Sequence, residues 1–254
     1  MLYPKSNKYR DLYNLNGIWK FKTVSDDYVP ENEAQDTSPM AVPASYNDIV
    51  TSKEIKDYVG KVLYETTFSI PVRDEKIYHL RIGATSHKCD VYLNGKLVAQ
   101  GINGFLPIDT EIFDLKEKNR LSVVIDNRLT FQTLPVGVVK DGKQIINHDF
   151  YNFTGIHRDV LVYSTPKKYI HDIEIKTVVD GDYSKISVIT DAENALYTVF
   201  DKLGNVVIAS RESTFKVEDP VLWSTENPYL YIALAYSKPF GNFLIVHSAE
   251  FPEY

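Results

Sequence analysis

The feature that most limits this chain's fold is a period of two. Gly17-Ile18-Trp19-Lys20-Phe21-Lys22, Tyr64-Glu65-Thr66-Thr67-Phe68-Ser69-Ile70 and Tyr78-His79-Leu80-Arg81-Ile82 alternate apolar and polar side chains. Successive side chains leave a strand on opposite faces, so alternation predicts one set in a core and the other in water. Cys89-Asp90-Val91-Tyr92-Leu93 and Lys96-Leu97-Val98 flank Asn94-Gly95, a pair that accepts the positive φ angles of a two-residue type I′ turn and predicts a tight hairpin. Asn119–Asp126 and Val160–Tyr163 read as further strands. No stretch sustains a 3.6-residue period over three turns. The best helical candidate is short, from Asn47 to Ile55, with Ser45 or Asn47 placed to cap it. Many short strands separated by turn signals predict an all-β chain built as a sandwich or jelly roll.

Thr165-Pro166-Lys167-Lys168 separates this set of strands from a second one: Ile170–Thr177, Ile186–Ile189, Tyr197–Phe200 and Val206–Ala209, with a turn at Leu203-Gly204-Asn205. Short strands at this spacing predict an immunoglobulin-like sandwich, without the paired cysteines of antibody domains. The expected division is residues 1–165 for the first domain and 166–254 for the second, its C-terminal end left open.

Bulk properties exclude several function classes. The net charge is −6 with no basic stripe, which argues against nucleic acid and anionic membrane surfaces as partners. The one cysteine, Cys89, cannot form an intrachain disulfide, as suits a reducing compartment. Met1-Leu2-Tyr3-Pro4-Lys5 lacks the apolar core of a secretion signal, and no apolar run approaches the roughly 20 residues needed to span a bilayer. The expectation is a cytoplasmic protein. Eighteen tyrosines and 12 phenylalanines favour strands, and their flat faces can also stack on sugars.

The chain has no glycine-rich phosphate loop, CxxC pair or GxSxG elbow, and none of its six histidines has a metal-ligand spacing. No cofactor or metal is expected. His79 and His171 lie in alternating segments and read as structural. The densest polar and aromatic stretch is Asn147-His148-Asp149-Phe150-Tyr151-Asn152-Phe153-Thr154-Gly155-Ile156-His157-Arg158. It is too polar for a core strand and too aromatic for an ordinary exposed loop. One reading makes it a sugar-binding loop: a carboxyl group accepts hydrogen bonds from hydroxyls while rings pack on C–H faces. The other makes it a loop that pins two sheets, with Asn152, His157 and Arg158 satisfying buried backbone groups. The residues leave both open.

Several stretches together resemble the family 2 glycoside hydrolases and, within them, the bacterial β-glucuronidases. They are Met1–Pro4, Leu15–Phe21, Ala41–Asp48, Val91–Gly95, Asn103–Phe105, Thr133–Gly137 and His148–Arg158, followed by Leu222-Trp223 and Asn227–Tyr231 in the second domain. The resemblance implies a sugar-binding, galactose-binding-like jelly roll followed by an immunoglobulin-like sandwich. It also implies a (β/α)8 barrel that holds both catalytic glutamates, and this chain is expected to end before that barrel. Retaining hydrolysis needs two carboxyl groups about 5–5.5 Å apart. Trp223-Ser224-Thr225-Glu226-Asn227 imitates the acid/base motif but has Glu before Asn, and Asn32-Glu33 lacks the preceding tryptophan; both are rejected as catalytic. After Tyr231, Phe243–Val246 can form a last strand within the Phe240–Tyr254 tail, and no Phe-Gly-Ile-Arg segment follows.

One residue role carries across from the family. Asp149 resembles the aspartate that reaches from the jelly roll to bind glucuronide hydroxyls, a substrate-positioning residue. The expected function is a non-catalytic carbohydrate-binding and scaffolding part of a glycosidase. Its partners would be a weakly bound carbohydrate and either a catalytic barrel or further copies of itself. The alternatives are a subunit complemented in trans by a separate barrel, or an unrelated lectin-like module.

Overall fold

A computed structural model describes residues 3–147, 149–192 and 194–237, and the backbone of 241–249. The Met1-Leu2 match, His148, Phe240 and the end of the tail from Glu250 lie outside the described residues. The all-β expectation holds: helix is confined to Tyr46–Ile49 and Lys53–Lys56 among the described residues. The chain forms two compact units. One spans Leu12–Ser164, and the other joins the residues before Leu12 to those from Thr165 onward.

The first unit is a jelly roll of two antiparallel sheets. The larger runs in the order Ser38–Val42, Gly17–Val24, Lys61–Phe68, Asn119–Asp126, Lys88–Leu93, Lys96–Gly101, and the smaller in the order Leu12–Asn14, Val160–Pro166, Lys76–Ile82, Ile108–Ile112. The predicted hairpin closes through Asn94 (φ 52°) and Gly95 (φ 83°). Apolar residues from both sheets form one core that includes Trp19, Phe21, Tyr64, Leu80, Ile82, Leu121, Val123 and Val162. The rings of Tyr46 and Tyr64 each lie 5.1 Å from that of Phe21.

The outer faces of these strands differ from expectation. Alternation predicts Glu65, His79 and Arg81 in water, yet all three are buried. Glu65, 1% exposed, accepts hydrogen bonds from Ala34 N (2.8 Å) and Ser122 Oγ (2.8 Å) and pairs with Arg120 at 3.2 Å. Arg120 also donates to Pro30 O and Glu31 O, so the segment around Ala34 folds over this face and builds a second small core from Ala34, Leu63 and Val124. On the smaller sheet Arg81 pairs with Asp109 at 2.9 Å, and the His79 ring stacks on Tyr163. Pairing is what lets these polar groups be buried.

The second unit is an immunoglobulin-like sandwich. One sheet orders Ile173–Asp180, Tyr183–Thr190, Thr214–Glu218, and the other Val206–Ser210, Leu196–Phe200, Tyr231–Ser237, Gly241–Ala249. The predicted last strand, Phe243–Val246, lies within Gly241–Ala249. Thr214–Glu218 buries alternate residues, Phe215 and Val217, into a core with Ile173, Ile186, Val199 and Tyr231. The turn at Leu203-Gly204-Asn205 forms as predicted, with Asp201 Oδ1 accepting from Leu203 N and Asn205 N, each at 2.8 Å. His171 precedes the strand instead of lying in it, and its Nδ1 is 2.5 Å from Asp191 Oδ2.

Candidate functional site

The loop that follows the Gly137–Lys140/Lys143–Ile146 hairpin has one set of residues anchored in the fold and another exposed. Three alternate residues point inward: Asn152, Thr154 and Ile156 are buried. Phe150, Tyr151 and Phe153 are exposed, Phe150 by 68%. The backbone is stitched on two sides. Ala44 N and Tyr46 N donate to Ile156 O and Thr154 O (2.8 and 3.0 Å), and Gly155–Ile156 pairs with Thr85–Ser86. Gly155 (φ 121°) is required there, since a Cβ would lie 2.6 Å from the Tyr64 hydroxyl and 3.0 Å from Ala44 O.

A net of asparagines holds the inward residues. Asn47 Nδ2 donates to Asn152 O (2.6 Å), and its Oδ1 accepts from Thr154 N (3.1 Å). Asn152 Nδ2 donates to Asn127 O (3.4 Å), while Asn152 Oδ1 lies 2.7 Å from His87 Nε2. Asn127 Nδ2 donates in turn to Tyr46 Oη and Tyr58 O. Asn47 therefore does not cap the short helix. Ser45 occupies the N-cap position without a side-chain cap bond, and the capping side chain is Ser52, at the second helix.

The outward rings line a cleft of about 640 Å³ with Ser45, Ser86, Phe105, Leu134, Pro135 and His157. Tyr151 and Phe153 pack edge to face with centroids 4.8 Å apart, and Phe105 lies 5.9 Å from the His157 ring. Burial lowers the pKa of both His87 and His157, although the Asn152 hydrogen bond pulls His87 the other way. The same burial holds the Tyr64 hydroxyl well above the usual tyrosine range. Of the described lining residues none is Asp, Glu, Lys or Arg.

Asp149 stands just before Phe150, exposed, with no hydrogen bond or ion pair to another described residue. Of the other residues singled out in the loop, Asn152 satisfies Asn127 O, and Arg158 reaches Phe105 O at 3.5 Å. His157 instead turns to the cleft, its Nδ1 3.5 Å from Ser86 Oγ. The two rejected glutamates lie elsewhere. Glu226 is exposed in a turn closed by Ser224 and Asn227, and Glu33 is exposed and paired with Lys20 at 2.6 Å. Inspection of the sequence missed Asn127, Ser86 and His87; none of them sits in a motif, and only the fold brings them under the loop.

The model of the glycosyl hydrolases family 2 sugar binding domain matches residues 12–166. The chain belongs to this family. Among curated relatives, a β-glucuronidase of Paenibacillus borealis is 34% identical over 91% of this chain and 43% of its own length, and one of Streptococcus agalactiae is 32% identical over 92% and 42%. Among solved structures, a β-glucuronidase of an uncultured Clostridium sp. superposes with a TM-score of 0.89 at 35% identity, covering 98% of this chain and 46% of that one. A Ruminococcus gnavus β-glucuronidase in complex with uronic isofagomine superposes with a TM-score of 0.83 at 30% identity over 93% of this chain and 42% of its own. This family 2 chain therefore spans less than half the length of these β-glucuronidases. No helix among the described residues is long and apolar enough to cross a membrane.

Proposed function

We propose that this chain is the sugar-contacting, non-catalytic part of a β-glucuronidase-like glycoside hydrolase, with the sugar-binding jelly roll over residues 1–165 and the immunoglobulin-like sandwich over 166–254. The division of labour in one loop carries this reading: Asn152 and Thr154 anchor it, while Asp149 is exposed next in sequence to Phe150, one of the rings that line the aromatic cleft. In this role Asp149 accepts hydrogen bonds from glucuronide hydroxyls and orients the sugar, and it moves no proton. Retaining hydrolysis needs a facing pair of carboxyl groups about 5–5.5 Å apart. The cleft walls carry none among their described residues, so the pair is assigned to a catalytic barrel. A reducing, cytoplasmic setting suits a chain whose one cysteine, Cys89, can form no intrachain disulfide.

The test is hydrolysis of a chromogenic aryl β-D-glucuronide. The purified chain should give no turnover above buffer, and Asp149→Ala should weaken glucuronate binding. Turnover by rigorously pure chain contradicts the proposal. Binding of other glycans, indifferent to Asp149→Ala, would favour a lectin-like module.

The exposed rings favour one second reading, a barrel polypeptide supplied in trans. A contiguous apolar surface of this kind marks a place where something docks. Activity that appears only on mixing the chain with such a polypeptide supports it, and failure to associate at micromolar concentration opposes it.

A further inference from the structure

Beneath the loop lies a buried polar group with no role in the proposed sugar contact. His87 is 1% exposed, and its Nε2 sits 2.7 Å from Asn152 Oδ1. Its Nδ1 is buried with no hydrogen-bond partner among the described residues. Gly104 packs beside that nitrogen, where a Cβ would lie in van der Waals contact with it at 3.4 Å.

These contacts decide where the imidazole proton sits. Asn152 Nδ2 faces the Asn127 carbonyl at 3.4 Å, which orients the amide with its oxygen toward the ring. The flipped amide would set two carbonyl oxygens against each other. An oxygen facing Nε2 requires a hydrogen on Nε2. The alternative tautomer would bury an Nδ1–H with no acceptor, and a buried donor left unmade is costly.

We infer that His87 and Asn152 form a positioning latch. Neutral His87, with its proton on Nε2, donates to Asn152 Oδ1 and so fixes the loop that presents Asp149. The role of the latch in sugar binding rests on the proposed function; its role in holding the loop does not. Adding a second proton at Nδ1 strains the latch, because that N–H would be buried with no acceptor among the described residues. The charged and titratable groups that act on the ring are Asp126, already engaged by Arg128 at 2.8 Å, and His157, itself held neutral by burial. Neither supplies an acceptor to Nδ1.

Two measurements on the intact chain test this. Long-range ¹H–¹⁵N spectra of the wild type should show His87 neutral with Nε2 protonated at pH 7, and still neutral at pH values where an ordinary histidine is half charged. An Nδ1–H tautomer, or a charged ring at pH 7, overturns the inference. Hydrogen exchange then compares His87→Phe, which removes the donor, with His87→Gln, whose amide can replace it. The Thr154 amide should exchange roughly tenfold or more faster in His87→Phe, the scale expected for one lost buried hydrogen bond, and His87→Gln should restore most of the protection. Equal protection in His87→Phe and wild type sinks the latch. If the loop loosens in His87→Phe but binding of D-glucuronate is unchanged, the latch stands and the assignment of the sugar to Asp149 falls.

Discussion

The two units are both β-sandwiches, but they bury different things. The immunoglobulin-like unit has one apolar core, and its buried polar residues among those described are hydroxyl side chains such as Ser184, Thr198 and Ser237. The jelly roll buries charge and amide as well: Glu65, Arg81, His79, His87, Asn119, Asn127 and Asn152. A buried polar group adds little net stability and costs much if its partner is lost. What it supplies is a fixed geometry, and the unit proposed to present Asp149 is the one that uses such groups. The sandwich keeps its ion pairs among the described residues, such as Lys176–Glu174 at 3.2 Å, on the surface.

This contrast can be tested by unfolding, because each unit has one tryptophan: Trp19 in the jelly roll and Trp223 in the sandwich. The largest effect should come from Arg120→Met. It strands the buried Glu65 carboxyl and releases the Pro30–Glu31 segment, so the transition followed by Trp19 should lose about 3–5 kcal/mol in urea. A loss below about 1 kcal/mol would mean that the pair is not a structural keystone.

Acid should be the next strongest discriminator. The folded-state pKa values of His87 and His157 lie below 6.5. The unfolded chain therefore binds protons first as pH falls below about 6.5, and the jelly roll is destabilised from there down through the folded values. In the sandwich, burial alone would raise Asp191, but hydrogen bonds from His171 outweigh it and hold its pKa below 3.8. That contribution is present above about pH 3.8 and is lost below it. Thermal melts between pH 7 and 5 should lower the Trp19 transition and leave the Trp223 one nearly unmoved. The reverse order would contradict the comparison.

How much of this was legible in the sequence follows the same divide. Residues whose role depends on a local pattern could be read directly: the Asn94-Gly95 hairpin, the Leu203-Gly204-Asn205 turn and the alternating strand Gly17–Lys22 all come from short-range rules. The polar outer faces could not be read that way. Glu65 looks solvent-facing until the distant Ala34 segment folds over it, a closure with no local signal. The site was half legible. Asp149 and its aromatic neighbours stood out by composition and family resemblance, but the latch and the asparagine net around it join residues 47, 87, 127 and 152, which only the sheet topology brings together.

Two smaller effects sharpen the contrast. Lys176→Ala removes one partner of an exposed pair and should shift the Trp223 transition by no more than about 1 kcal/mol; a larger loss would mean that the sandwich relies on its surface charge. Asp149→Asn should be the mildest for stability, within about 0.5 kcal/mol, because the side chain has no partner to lose among the described residues. A clear change in melting would show that Asp149 is part of the scaffold.

The most direct test is an NMR titration of the chain with D-glucuronate. Amide shifts confined to residues 149–153, saturating at millimolar sugar and absent in Asp149→Ala, are the predicted result. Shifts that survive Asp149→Ala, or that appear in the sandwich instead of the loop, would contradict the account.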